Sequence, residues 1–312
     1  MNTHTSAQST SAVTGYRRSI AGVVVDVVAA GCLIDNRAAN ELAPFASAVT
    51  APADMIVTVT TARPPDAPAA APHFSTESWD LWHLPDGGCR IAFLRSPNEP
   101  RPIAIVDREA TRATYFHTGG IAERANGLPV IFDPFRFPLD QLLFIQHLAY
   151  RKGFIVHAAG IAFGQDGIVV PGVSGAGKST LTGLVTKAVP DAVALSDERI
   201  ILCERNGRFD AWGTPWVGTA GIARNENVPA RAVVFLAQDT RTAIAAIPVR
   251  EALRRLFGVL ACPWYDAARS TLVLAAVERL VQSVPTYELR FARDPGVADV
   301  LLDLVQRETA VQ

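Results

Sequence analysis

The sequence predicts an α/β protein in which a smaller β-rich region precedes a larger domain of mixed sheet and helices. Three observations lead there. Residues 16–125 break into short strand-like runs, and from about 126 onward strands alternate with helical segments. Within that second part "GIVVPGVSGAGKSTL", Gly167 to Leu181, passes from an apolar strand through a glycine-rich turn into a helix. At 312 residues, 49% hydrophobic and with a formal net charge of -1, the chain has the material for one large or two moderate globular domains.

Taken in order, residues 1–15, "MNTHTSAQSTSAVTG", are small and polar and bury little, so a disordered tail is expected. "IAGVVVDVV" is rich in β-branched residues and reads as a buried strand. Arg17 and Arg18 before it imitate an export signal, but Asp26 interrupts the apolar run. "MIVTVTTA", "SWDLWHL", "CRIAFL", "PIAIVD" and "ATYFHT" continue the strand pattern, with Asp86 and Gly87 expected to supply the positive-φ residues of a tight hairpin. "RPPDAPAAAP", Arg63 to Pro72, holds too many prolines for a regular element and reads as a surface loop.

Leu139 to Tyr150 has helical spacing, with Leu142, Leu143 and Ile145 to bury and Asp140 near the positive end of the helix dipole. Strands "FIVHAAGIAFG" and "GIVV" lead into the glycine turn. The helix after it, Ser179 to Val189, places Leu181, Leu184, Val185 and Ala188 on one face. Strands "AVAL", "RIILCE", "RFDAW" and "ARAVVFLA" follow, then helices over 248–261 and 266–284, the strand "TYELRFA", and a last helix capped by Asp294 and Pro295.

Bulk chemistry excludes several functions. A near-neutral chain offers no general electrostatic attraction for nucleic acid or an anionic membrane, and no apolar run reaches the roughly 18 residues of a membrane helix. Neither partner is expected. Cys32, Cys89, Cys203 and Cys262 lie far apart without a C-x-x-C pair, which argues against a zinc ribbon or a disulfide framework and fits a reducing cytoplasm.

Gly172-x-x-x-x-Gly177-Lys178-Ser179 matches the P-loop pattern. Gly172, Gly175 and Gly177 let backbone N–H groups turn inward. The amides from Ser174 and Ala176 through Thr180, together with the positive end of the helix, are expected to hold the phosphates of ATP. Lys178 would reach the β and γ phosphates and Ser179 would ligate Mg²⁺. The chain has only three lysines, Lys152, Lys178 and Lys187, among 29 basic residues, so a lysine at this place is a specific requirement rather than a default cation.

Two further features accompany the loop. "AVALSDE" is an apolar strand ending in Asp197 and Glu198, where acids can hold Mg²⁺ or accept a proton from an attacking hydroxyl. His157 stands in the apolar strand "FIVHAAG". With these three pieces, residues 137–220 resemble the HPr serine kinase/phosphorylase group, whose nucleotide core is related to ATP-dependent phosphoenolpyruvate carboxykinase. The matching residues are His157-Ala158, then Gly172 to Ser179, then Asp197-Glu198.

The resemblance implies an HPr kinase-like P-loop domain over 126–312 that transfers the γ-phosphoryl group of ATP to a serine hydroxyl. It implies Asp197 as the base, Glu198 and Ser179 as Mg²⁺ ligands, and His157 near the transferring group. Glu198 stands where the group usually has Asp, and "WGTPWVGT", Trp212 to Thr219, replaces its R-G-L-G-like stretch. That segment is expected to line an acceptor site, and Arg224 and Arg231 are candidate neutralisers of transferring phosphate. The acceptor is expected to be a peptide or protein recognised by residues 16–125. The alternatives are a small-molecule kinase and a nucleotide-dependent binding module without transfer.

Overall fold

The computed structural model describes residues 12–37, 40–94 and 101–311. The chain divides into two compact units, the first Met1–Arg18, Val23–Ala39 and Ala46–Leu143, the second Ser19–Gly22, Asn40–Phe45 and Phe144–Gln312. Residues 126–143, expected with the larger domain, therefore belong to the first unit.

The first unit is β-rich. Its strands in chain order are β1 (Ala12–Val13), β2 (Gly15–Ile20), β3 (Val23–Ala30), β4 (Leu33–Asp35), β5 (Met55–Thr60), β6 (Phe74–Ser75), β7 (Trp79–His83), β8 (Cys89–Phe93), β9 (Ile103–Val106), β10 (Arg112–Phe116), β11 (Glu123–Ala125) and β12 (Leu128–Phe132). An eight-stranded sheet has the order β2-β3-β5-β10-β9-β8-β7-β6, and a four-stranded sheet the order β1-β4-β12-β11. In β10 burial alternates from Arg112 to Phe116, as a strand with one face on a core requires. The buried Arg18 guanidinium lies 3.0 Å from the Asp133 carboxylate, which also accepts from the Tyr16 hydroxyl at 2.6 Å.

Two expectations are corrected here. Residues 12–15 lie partly in β1 and β2 rather than in a tail, because Ala12 and Val13 pair with Asp35 and Ile34; residues 1–11 are outside the described part. In the β7–β8 connection only Gly87 takes positive φ, at +85°. Asp86 instead uses its carboxylate to accept from the Gly88 amide at 2.9 Å.

The second unit is a mixed α/β structure. Helix α1 (Leu139–Tyr150) spans the division, followed by β13 (Gly153–Phe163), β14 (Asp166–Pro171), α2 (Lys178–Ala188), β15 (Ala192–Ser196), β16 (Arg199–Arg205), β17 (Arg208–Trp212) and β18 (Asn227–Gln238). Then come β19 (Ala243–Ala246), α3 (Val249–Phe257), β20 (Leu260–Ala261), α4 (Ala267–Ser283), β21 (Thr286–Phe291) and α5 (Val297–Val311). Strand β19 carried no readable pattern in the sequence. The helix expected over 248–261 stops at Phe257, and Leu260 and Ala261 instead pair with Val156 and Ile155 of β13.

Helices cover both faces of this sheet, which explains why its central strands are continuous apolar runs rather than alternating ones. On one face Leu181 and Val185 of α2 pack with Val297, Leu301 and Leu304 of α5 against Ile161, Val170 and Val234. On the other, Leu256 of α3 and Val273, Val277 and Leu280 of α4 pack against Val156, Val169 and Val233. Asp266 caps α4 by accepting from the Arg269 amide at 2.9 Å. Among the described residues, no helix is long and apolar enough to cross a membrane.

Candidate functional site

Strand β13 acts as the ruler that assembles the site. It is antiparallel to β14 on one side, pairing Ala158 with Pro171, and antiparallel to β15 and β16 on the other, pairing Gly160 with Ser196 and His157 with Arg199. The end of β14 and the end of β15 are thereby brought to the same edge, next to His157. The acids thus arrive across an intervening antiparallel strand, not from a strand paired directly with β14. The direct parallel neighbour of β14 is β18, and β18 in turn pairs in parallel with β21. Loops following β14, β15 and β21 crown one edge, the usual location of ligands in such sheets.

The glycine loop, residues 172–177, leaves β14 with the Gly172 amide donating to the His157 carbonyl at 3.1 Å. Gly175 and Gly177 have φ of +80° and +102°, conformations that a side chain resists. Gly177 caps α2 without any side-chain hydrogen bond, so the amides of the first turn have no intrahelical acceptor and no side-chain cap. Uncapped N–H groups at the positive end of an 11-residue helix are the chemistry that an anion completes. Ser179 and Thr180 are exposed there.

Lys178 is only 7% exposed. Its ammonium donates to the Gly172 carbonyl at 2.7 Å and the Val173 carbonyl at 3.2 Å, and lies 3.0 Å from His157 Nε2. Burial draws its pKa below the ordinary lysine value, with Arg199 adding and Glu198 and Asp197 opposing. Burial also lowers His157, helped by the charges of Lys178 and Arg199 and opposed by Glu198. His157 Nε2 is in addition 3.1 Å from Glu198 Oε2. One ring nitrogen cannot accept from Lys178 and donate to Glu198 together, so the tautomer chooses between these contacts.

The two acids are held differently although they are adjacent. Glu198 bridges His157 and Arg199, with Oε1 3.0 Å from the guanidinium. Asp197 is 3% exposed, and its Oδ1 accepts from the amides of Gly218 at 3.0 Å and Ile222 at 3.3 Å while Oδ2 accepts from Ala220 at 2.8 Å. A carboxylate offers about four acceptor positions, so about one is left open. Asp197 is thus the peg on which the 218–222 loop hangs.

A cavity of about 550 Å³ gathers His157, Ser174, Gly175, Gly177, Lys178, Ser179, Thr180, Asp197 and Glu198. Gly172 and Ala176 do not line it, and their amides are spent on the carbonyls of His157 and Val173. Trp216 is packed, with its ring 5.7 Å from Phe144 at 76°, so Val217, Gly218 and Thr219 form that wall instead. Arg231 is paired with Asp166 and Arg224 with Glu226, and neither lines this cavity. Sequence reasoning missed Arg293, which does line it, and the amide clamp on Asp197. No local pattern announces either one, because both depend on which loops meet.

These residues fit Mg²⁺ and a nucleotide. Among the described residues no cluster of three His, Cys, Asp or Glu could cage a metal, but Mg²⁺ bound with a phosphate chain needs only one or two protein ligands. Ser179 and Glu198 can supply them.

No family model matches the chain, and no curated protein matches it. Among solved structures the chain is similar to the HPr(Ser) kinase/phosphatase from Coxiella burnetii, with 13% identity over 50% of this chain and 96% of that one, at a TM-score of 0.30. A similarity at that score transfers no residue role.

Proposed function

We propose that the protein is an ATP-dependent phosphotransferase that moves the γ-phosphoryl group to a hydroxyl, most simply a serine on a peptide or protein. The observation that carries this is the meeting, in one cavity, of an uncapped helix N-terminus, a buried lysine, a hydroxyl, two acids and a histidine of lowered pKa. Bound Mg²⁺ would neutralise charge on the phosphate chain. The amides of Ser174 and Gly175 and of Gly177 to Thr180 hold the chain in place, and Lys178 exchanges the Gly172 and Val173 carbonyls for phosphate oxygens. Asp197 takes the acceptor's proton through its remaining lone pair while keeping the 218–222 loop ordered. Glu198 and Ser179 serve the metal, and His157 passes between Lys178 and Glu198 as the lysine turns outward. Acceptor recognition is assigned to the first unit and the setting to the cytoplasm.

Three occupied positions on Asp197 favour one second reading, a nucleotide-dependent binding module in which this acid is purely a loop anchor. Titration with MgATP followed by a transfer assay separates the two. The kinase reading expects binding and transfer, with Lys178→Ala lowering turnover roughly 10²- to 10³-fold. Binding with no transfer to any hydroxyl would leave the module, and unchanged turnover in Lys178→Ala would remove the glycine loop from the chemistry.

A further inference from the structure

Arg293 follows β21 and sits in the left-handed region at φ +23°, a conformation that costs a residue with a side chain and needs surrounding structure to hold it. The holding groups are visible on both sides. The Ala292 amide donates to Thr242 Oγ1 at 3.3 Å, and the same hydroxyl donates to Asp294 Oδ2 at 3.0 Å. Asp294 Oδ1 accepts from the Gly296 amide at 2.9 Å. Both neighbours of Arg293 are thus pinned to one threonine. The end of β21 also lies close to the glycine loop, since a Cβ on Gly177 would lie 3.9 Å from the Phe291 ring. The result is that Arg293 lines the cavity that also holds Lys178, Ser179 and Thr180.

The nearby carboxylates are committed elsewhere. Asp294 serves Thr242 and Gly296, Asp197 serves three amides, and Glu198 serves His157 and Arg199. Among the described residues the Arg293 side chain has no ion pair or hydrogen bond. Apart from those carboxylates, His157 and Val217, the lining is glycines, the hydroxyl residues Ser174, Ser179, Thr180 and Thr219, and the Lys178 ammonium, a set rich in N–H and O–H donors. A planar fork of N–H donors in such surroundings matches phosphate oxygens.

We propose that Arg293 is a second phosphate-binding cation of this cavity, which contacts the polyphosphate of the bound nucleotide and is held ready by the Thr242–Asp294 anchor. The assignment rests on the nucleotide reading above. Titration calorimetry on the full chain with MgATP and with inorganic tripolyphosphate tests it. Wild-type protein should bind both, and Arg293→Ala should weaken both by roughly 10- to 100-fold, the loss of a hydrogen-bonded charge. Arg293→Lys should recover part of that. Thr242→Val should lose a smaller share with the arginine still present. Arg293→Gly, which relieves the positive φ, should raise the melting temperature while losing affinity, a split that a merely structural residue would not give. If wild type binds both ligands and Arg293→Ala binds them equally well, the assignment is overturned alone. The same follows if Arg293→Ala loses MgATP but keeps tripolyphosphate, which would place the contact on ribose or base. Wild type that binds neither overturns the nucleotide reading and this assignment with it.

Discussion

The cavity of the first unit and the glycine-loop cavity of the second are similar in size and opposite in chemistry. The first, about 430 Å³, is walled by Phe93, Tyr115, Phe132, Phe137 and Pro138. Phe132 and Phe137 are 62% and 69% exposed, and the Arg136 guanidinium lies 4.7 Å over the Phe132 ring. The second, about 550 Å³, is walled by glycines, hydroxyl residues, Lys178, Arg293, His157 and the acids Asp197 and Glu198. Aromatic rings left in water favour an apolar guest, whereas N–H and ammonium groups favour an anion. Under the proposed function the difference assigns phosphate handling to the second unit, so damage to one cavity should leave the other's chemistry intact.

The sharpest break should come at Asp197. Asp197→Asn keeps an oxygen for Gly218 and Ile222 but turns an amide group toward the Ala220 N–H, so the base is lost and the loop loosens together. Transfer should fall roughly 10²- to 10⁴-fold while MgATP affinity stays within a few-fold. If nucleotide binding collapses instead and Glu198→Gln loses only transfer, the two acids exchange roles.

Gly213→Ala comes next, because a Cβ there would lie 2.2 Å from the Arg224 carbonyl and 2.6 Å from that of Leu195, both backbone. The expected loss of stability is roughly 1–3 kcal/mol by denaturant titration, as for other overpacked sites. Wild-type stability in this variant would mean that the 213–224 segment is not held as described.

A smaller effect is expected in the first unit. Phe132→Ala with Phe137→Ala should leave MgATP affinity unchanged and weaken use of the natural acceptor about fivefold or more, as for loss of an aromatic contact of ~1 kcal/mol. A fall in nucleotide affinity would erase the separation between the cavities.

The smallest effect concerns pH. The native pKa of His157 is depressed, chiefly by burial, so the folded chain binds fewer protons there than the unfolded chain. Its contribution to stability is therefore lost as pH falls through about 6.5 toward the lower native value. Between about pH 7.5 and about pH 5.5 the melting temperature of wild type should drop by more than that of His157→Gln. Parallel curves would show that the histidine is not held neutral.

Much of the second unit was readable because its signals are local. β13 is an apolar run broken only by His157, β14 is apolar after Asp166, α2 repeats leucine and valine at helical spacing, and the glycine loop announces its own geometry. What failed was whatever depends on strand order. Asp197 and Glu198 reach the loop through two antiparallel pairings on β13 that no window of sequence encodes. Arg293 enters because β21 lies beside β18, which lies beside β14, and nothing in "FARDPG" says so. Trp216, an aromatic in a glycine- and proline-rich stretch, reads as a binding surface, but packing on Phe144 buries it. In the first unit the strands were visible, while the pairing of Ala12 and Val13 with β4 was not, since two small residues in a polar segment carry no periodicity.

The comparison between the cavities is tested most directly by amide hydrogen exchange on the full chain with and without MgATP, which needs no knowledge of the acceptor. Protection should appear over 173–181, around 217–220 and at 292–294, with peptides covering Phe93, Tyr115 and 132–138 unchanged. Protection centred on the aromatic cavity, or none at the glycine loop under saturating nucleotide, would contradict the assignment of phosphate binding to the second unit.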